Sequence, residues 1–173
     1  MRQVTTTVGP LATAVANNIC LSQTPTTSFT LNGALVSGGI ATLDTARRVL
    51  FTPAADESAN SFTIVGTAAN GTPLTEVLAG ANATAFYTTL DFKTVTSITL
   101  KNSATGAITV GTNGVASSAW VRLDPYADPA TSVGTYVSGT VNYTVQGAYV
   151  DINSPAANLQ PYQLPWINST DSG

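Results

Sequence analysis

The sequence predicts an all-β protein: a β-sandwich or jelly-roll-like domain of about eight or nine short antiparallel strands with extended N- and C-terminal arms. Three observations predict it. Short runs rich in Val, Ile, Thr, Phe and Tyr recur between turns built from Gly, Asn and Pro. No segment keeps a helical period over about ten residues, so the helical crossovers of a βαβ plan are missing. Polarity comes from Thr, Ser and Asn rather than from charge, since charged residues are 9% of the chain against roughly 25% in an ordinary soluble domain.

Residues 1–28 carry turn formers and Thr without sustained alternation and read as an extended arm. Leu11, Val15 and Ile19 have a loose helical spacing, but Thr13, Asn17 and Asn18 are mediocre helix formers. From Ser28 the pattern changes. FTLNGALVSGG holds two β-prone pieces around Asn32-Gly33, closed by Gly38-Gly39. GIATLDTARRVL (39–50) competes as a helix, but its Thr and Gly content argues against that. Strands then follow at RRVLFT (47–52), SFTIVGT (61–67), PLTEVLAG (73–80), TAFYTTL (84–90), VTSITLKN (95–102), AITVG (107–111) and SAWVRLD (118–124). The hairpin FTIVGTAANGTPLTEVLAG turns at Asn70-Gly71, a pair suited to the φ > 0 positions of a tight turn. The longest run, TYVSGTVNYTVQGAYVDI (135–152), alternates Val141, Tyr143 and Val145 against Asn142, Thr144 and Gln146, and Gly147 interrupts it.

The reading divides the chain into an arm (1–28), a β-sandwich domain (29–152) and a Pro-rich tail (153–173). In the tail Pro155, Pro161 and Pro165 fix φ and remove donors, so neither helix nor sheet is expected to continue. Leu159, Tyr162, Leu164, Trp166 and Ile167 are too apolar to stand in water. They are the candidate partner-binding anchors, seated in a groove of a neighbour or closing the open end of their own sandwich.

Composition excludes several function classes. Six basic and nine acidic residues give net charge −3, with only Arg47-Arg48 as a basic pair, so no nucleic-acid footprint is expected. No apolar stretch of about eighteen residues occurs, so no membrane partner is expected. The segment MRQVTTTVGPLATAVANNICL lacks a compact apolar region and is not read as a signal peptide. Cys20 stands alone, which excludes an internal disulfide and suits a reducing cytoplasm. Flanked by Ile19 and Leu21, it reads as a small buried hydrophobe. The sequons at Asn82, Asn142 and Asn168 then reflect the abundance of Asn and Thr. A surface poor in charge desolvates easily and suits extensive contact with protein.

Catalytic chemistry is not expected, and no catalytic, cofactor or metal residue is assigned. His is absent, which removes the usual base for a Ser, Thr or Cys nucleophile and leaves a zinc site without ligands. No nucleophile elbow, P-loop or dinucleotide fingerprint occurs. A carboxylate pair for glycoside hydrolysis would come from Asp56, Glu57, Glu76, Asp91, Asp124, Asp128 or Asp151, but these sit mostly at turns, where Asp bonds its own backbone. Glu76 reads as a solvated strand residue or the partner of Arg47 or Arg48. Asp124 to Asp128 does not match an ordered calcium loop. Trp120 reads as core, Trp166 as a tail anchor and Tyr126 as an exposed loop aromatic, which keeps a glycan site open as a weaker alternative.

The block RRVLFTPAADESANSFTIVGTAANGTPLTEVLAG, with DFKTVTSITL and AITVGTNGVASSAWVRLD after it, resembles tailed-bacteriophage virion structural proteins over roughly residues 40–124. The resemblance implies a virion part and carries over no catalytic residue. Small size, β content, low charge and long termini make a capsid decoration (cement) protein the closest fit, because many weak contacts on a symmetric lattice add through avidity. It then implies the major capsid protein as partner, self-association as a homo-oligomer, and a place on the capsid surface after synthesis in the host cytoplasm. Neck or tail components, including a host-surface or glycan-binding tail module, are the alternative.

Overall fold

The computed structural model describes residues 5, 7–9, 11–118, 136, 140–147, 162–163 and 170–172. Every described strand pairing is antiparallel and no described residue is helical, so the protein is all-β. The chain divides into two compact units, Met1–Leu123 and Asp124–Gly173.

The first unit holds eight strands: β1 (Cys20–Gln23), β2 (Val36–Ser37), β3 (Ile40–Pro53), β4 (Ser61–Thr67), β5 (Pro73–Ala79), β6 (Phe86–Tyr87), β7 (Phe92–Leu100) and β8 (Ile108–Ser117). They form one open sheet in the order β1-β8-β3-β7-β4-β5, with β2 and β6 also on β3. The segment 39–50 is strand, as its Thr content argues, and belongs to the 14-residue β3. That length lets β3 change partners. Its first half pairs with β2 and β7 and its second half with β8 and β6, with register shifts around Arg47 where the exchange occurs.

Burial follows the pleat. Along β4, Phe62, Ile64 and Gly66 are buried and alternate with half-buried Ser61, Thr63, Val65 and Thr67. Buried residues from β1, β3, β4, β7 and β8 meet in one core with Phe29. Four rings form its centre: Phe51 stacks on Phe86 (5.0 Å, 5°), and Phe62 lies 5.4 Å from Phe51 and 6.3 Å from Phe29. The hairpin turns at Asn70-Gly71, but only Gly71 takes a positive φ (+83°), and Ala68 N–H to Thr72 O (2.9 Å) closes a three-residue loop rather than a two-residue turn with both positions at φ > 0.

The arm reading of 1–28 is corrected at its C-terminal end. Ile19 and Cys20 are fully buried, and β1 pairs with β8. Residues 27–29 then pair with the end of β7, through Phe29 N–H to Ile98 O (2.9 Å) and Leu100 N–H to Thr27 O (2.8 Å). The Gln23 carboxamide links β1 to this segment by donating to Thr30 O and accepting from Thr30 N–H, both at 2.9 Å. It fills the place of a peptide group in the ladder.

In the second unit, β9 (Thr140–Asn142) pairs with β12 (Thr170–Ser172), and β10 (Gln146–Gly147) with β11 (Tyr162–Gln163). This corrects the expectation that the tail carries no sheet. Two-residue β11 fits between Pro161 and Pro165, because a proline removes only its own donor. Of the candidate anchors, Tyr162 takes its backbone place in β11, while Leu159, Leu164, Trp166 and Ile167 lie outside the described residues.

Candidate functional site

Several charged side chains of the first unit hold backbone, and this decides what its surface can offer. Arg47 sits at the register shift of β3 and is 1% exposed. Its Nε donates to Asn113 O (3.1 Å), its Nη2 to the same oxygen, and its Nη1 to Ala12 O (2.9 Å) and both Asp44 carboxylate oxygens (3.1 Å). Asp44 Oδ2 accepts the Ala12 N–H (2.9 Å). The ion pair therefore grips Ala12 by both its donor and its acceptor. Three residues on, Thr112 N–H donates to Val15 O (2.9 Å). Gly111 lies so close to that carbonyl that a Cβ would run into it. Residues 11–16 are thus held through main-chain atoms. Leu11 and Val15 in this stretch are 36% and 42% exposed, and Val8 before it is 43% exposed.

The grip is pH-dependent through Asp44. Burial pushes its carboxyl up, but the Ala12 amide, Arg47 and the Thr45 amide outweigh burial and hold it below its ordinary value. Because the folded-state value lies below the unfolded one, the clamp is at full strength above the ordinary carboxylate range, near about pH 4. It is lost as pH falls through the depressed value. We predict that a spin label on Val8→Cys gains mobility on acidification below about pH 4, while the same label in Asp44→Asn is mobile already at pH 7. Equal mobility of the two proteins at neutral pH would contradict the clamp.

Other charges are engaged too. Glu76 shares the inward face of β5 with Leu74 and Leu78, and it accepts from Thr89 N–H and Oγ1 (both 2.7 Å) and Leu90 N–H (3.0 Å). The expected pairing of Glu76 with Arg47 or Arg48 is therefore corrected. Two loop amides within reach solvate a carboxylate without a cation. Glu57, 1% exposed, accepts from Thr105 N–H, Gly106 N–H and Asn60 Nδ2. Arg48 lies 3.9 Å from Asp91 and 5.6 Å from the centre of the Tyr87 ring. Burial pushes the Asp91 carboxyl up, partly offset by Ser117 and Arg48, and Glu76 adds to the rise. Asp56 accepts from its neighbour Ser58 N–H (2.9 Å), a local turn bond. Lys93 Nζ donates to Leu43 O (2.7 Å) and Asp44 O (3.1 Å).

Cys20 is fully buried, and burial pushes its thiol up to about 12, so it is an inert hydrophobe. Among the described residues no three His, Cys, Asp or Glu gather as a metal site, and no helix is long and apolar enough to cross a membrane. Asp124, Asp128, Asp151, Trp120, Tyr126 and Trp166 lie outside the described residues. Beside the clamp, a pocket of about 230 Å³ is lined by Thr7, Asp44, Thr45, Lys93, Ser117 and Ser118, with two alanines. Sequence reading missed the clamp, because Ala12, Asp44, Arg47 and Asn113 come from separate stretches of chain, with Arg47 and Asn113 alone 66 residues apart. The one local signal was Asp44 three residues before Arg47.

Compared with protein families, curated proteins and solved structures, the chain finds no match.

Proposed function

We propose that the chain is a non-enzymatic structural component of a tailed-phage virion: a decoration protein that binds the icosahedral shell through its termini and open β-edges and stabilises it. The observation that carries this reading is the N-terminal segment. Its residues 12 and 15 are fastened to their own domain through main-chain atoms, with Leu11 and Val15 exposed beside those bonds. Apolar side chains held in register on a rigid support suit a protein partner, because they add buried area without further ordering cost. Asp44, Glu57, Glu76 and Lys93 bind main chain, which fits a scaffold and leaves contact surface as the working part. The partner in this reading is the major capsid protein, the protein self-associates, and its place is the capsid surface after synthesis in the host cytoplasm. The tail residues Leu159, Tyr162, Leu164, Trp166 and Ile167 remain candidate anchors within it.

A second reading, a neck or tail component that binds host-surface glycan, is favoured by the hydroxyl-lined pocket beside Asp44 and Lys93. One experiment separates the two. Purified protein is added to shells lacking it, and binding and thermal rupture are followed. The decoration reading expects saturable, stoichiometric binding and a higher rupture temperature. Absence of binding, with the protein recovered in isolated tails, moves it to the tail.

A further inference from the structure

β5 is the last strand of the sheet, with β4 along one side only. The phase of its hydrogen bonds fixes which main-chain groups face the other side. Ala68 N–H donates to Thr72 O (2.9 Å), and Gly80 N–H donates to Asn60 O (3.0 Å). Between these two bonds the register runs unbroken from Thr67↔Pro73 to Ser61↔Ala79. Antiparallel ladders alternate, so Leu74, Glu76 and Leu78 turn their peptide groups to β4. Thr75, Val77 and Ala79 therefore turn N–H and C=O outward, joined by Pro73 C=O. No hydrogen bond from the described residues reaches any of these groups.

Exposed edges are normally blunted by a lysine, a bulge or a proline in mid-strand. β5 has none of these. Its pairing with β4 has no bulge, and its proline is the first residue. The side chains flanking the outward peptide groups are Pro73, Thr75, Val77 and Ala79, all uncharged and exposed, with Val77 at 64%. The single charge, Glu76, is on the opposite face and bound by Thr89 and Leu90.

We propose that this edge pairs antiparallel with β5 of a second copy of the chain, about a twofold axis at Val77. A symmetric antiparallel pair must bring outward-facing residues opposite each other; centring on Thr75 would set Ala79 against the turn at Gly71, outside the strand, which leaves two central registers. One sets Thr75 opposite Val77. It places the two Glu76 side chains directly across from each other in the close, non-hydrogen-bonded position, and it offers Ala79 N–H a partner in Pro73 that returns no donor. The other sets Val77 opposite Val77 and Thr75 opposite Ala79. There every outward N–H of Thr75, Val77 and Ala79 meets a carbonyl, and each Glu76 faces a Leu78. The outward N–H groups of Thr75, Val77 and Ala79 meet carbonyls in either register, so it is charge that selects the Val77-centred one. The pairing concerns the free protein and goes beyond the decoration reading.

Three variants of the full chain test it in sedimentation and oxidative cross-linking. Wild type is expected to form a concentration-dependent dimer. Val77→Pro removes a donor that β4 does not use, so the fold persists, and the dimer dissociation constant rises by about tenfold or more. Val77→Cys, lying opposite itself, is expected to oxidise to a covalent dimer far more readily than Thr75→Cys, whose partner is Ala79. The buried Cys20 stays out of the reaction. A protein that is monomeric at all concentrations, or Thr75→Cys cross-linking as well as Val77→Cys, overturns the proposal. Either result leaves the shell-binding test unaffected.

Discussion

Alanine in place of Phe62 is expected to lower the unfolding free energy by about 3–5 kcal/mol. The side chain is 0% exposed and lies within ring-contact distance of three others: Phe51 at 5.4 Å, Phe86 at 5.2 Å and Phe29 at 6.3 Å. With Phe62 itself, the four rings come from four separate stretches of chain. A cavity there loses apolar burial together with dispersion contacts that rigid strands cannot restore by moving. Total stability is typically about 5–15 kcal/mol, so the loss is a large fraction of it. Val77→Ala, one strand away but 64% exposed, is expected to change stability by no more than about 0.5 kcal/mol. Urea unfolding of the two variants checks the contrast, read from midpoints at an unchanged slope. Equal costs for both substitutions would mean that the aromatic group is not the centre of the core.

Much of this architecture was legible because it is local. The hairpin 61–79 is written in its own residues: alternation in SFTIVGT, Asn70-Gly71 at the reversal, and Pro73 at the first place of the returning strand. The same logic explains why Thr42 and Thr45 made strand the better choice for residues 39–50. It failed where a distant partner overrode local chemistry. The sequence reading ends the strand AITVG at Gly111, yet β8 runs on to Ser117, because Thr112, Gly111 and Val110 pair with Val49, Leu50 and Phe51 across the sheet. Conversely TAFYTTL keeps only Phe86–Tyr87 as strand, since Thr88 turns its hydroxyl inward to accept Val49 N–H (2.9 Å) and donate to Leu90 O (2.8 Å). The arm ran too far along the sequence because Ile19 and Cys20 show no alternation of their own. Their burial comes from β8, some ninety residues away, where Ile19 N–H donates to Val110 O (3.0 Å).

Charged residues were the least legible, and for the same reason. A sequence shows that Arg47 and Glu57 are charged but not which amides surround them. Arg47 and Arg48 look alike in the chain. Yet Arg47 points inward at the register shift and is buried, while Arg48 points out, with its side chain 31% exposed. Pleat phase decides between them, and the phase is set by β7 and β8.

Glu57 is where that reasoning has its largest consequence. Glu57→Ala is predicted to cost about 3 kcal/mol, the range for removing a buried charged acceptor from its donors. Oε1 accepts from Thr105 N–H (2.7 Å) and Gly106 N–H (3.1 Å), and Oε2 accepts from Asn60 Nδ2 (3.3 Å). Asn60 in turn donates to Asn102 O (2.8 Å) and accepts from Ser61 N–H and Asn102 N–H, each at 3.0 Å. The two side chains fasten the β3–β4 connection to the β7–β8 connection. Truncation at Glu57 leaves buried donors with no acceptor, and the cleft beside them, about 60 Å³, has room for only partial hydration. Glu57→Gln separates charge from geometry: Oε1 can still accept the Thr105 and Gly106 amides, but its NH₂ then meets the Asn60 NH₂, donor against donor. Its cost is expected to fall near half that of Glu57→Ala. Native-state hydrogen exchange locates the effect, with protection at Thr105 and Gly106 lost in the alanine variant and retained in the glutamine one. An alanine variant as stable as wild type, with both amides still protected, would show that the backbone holds the two connections together without this carboxylate.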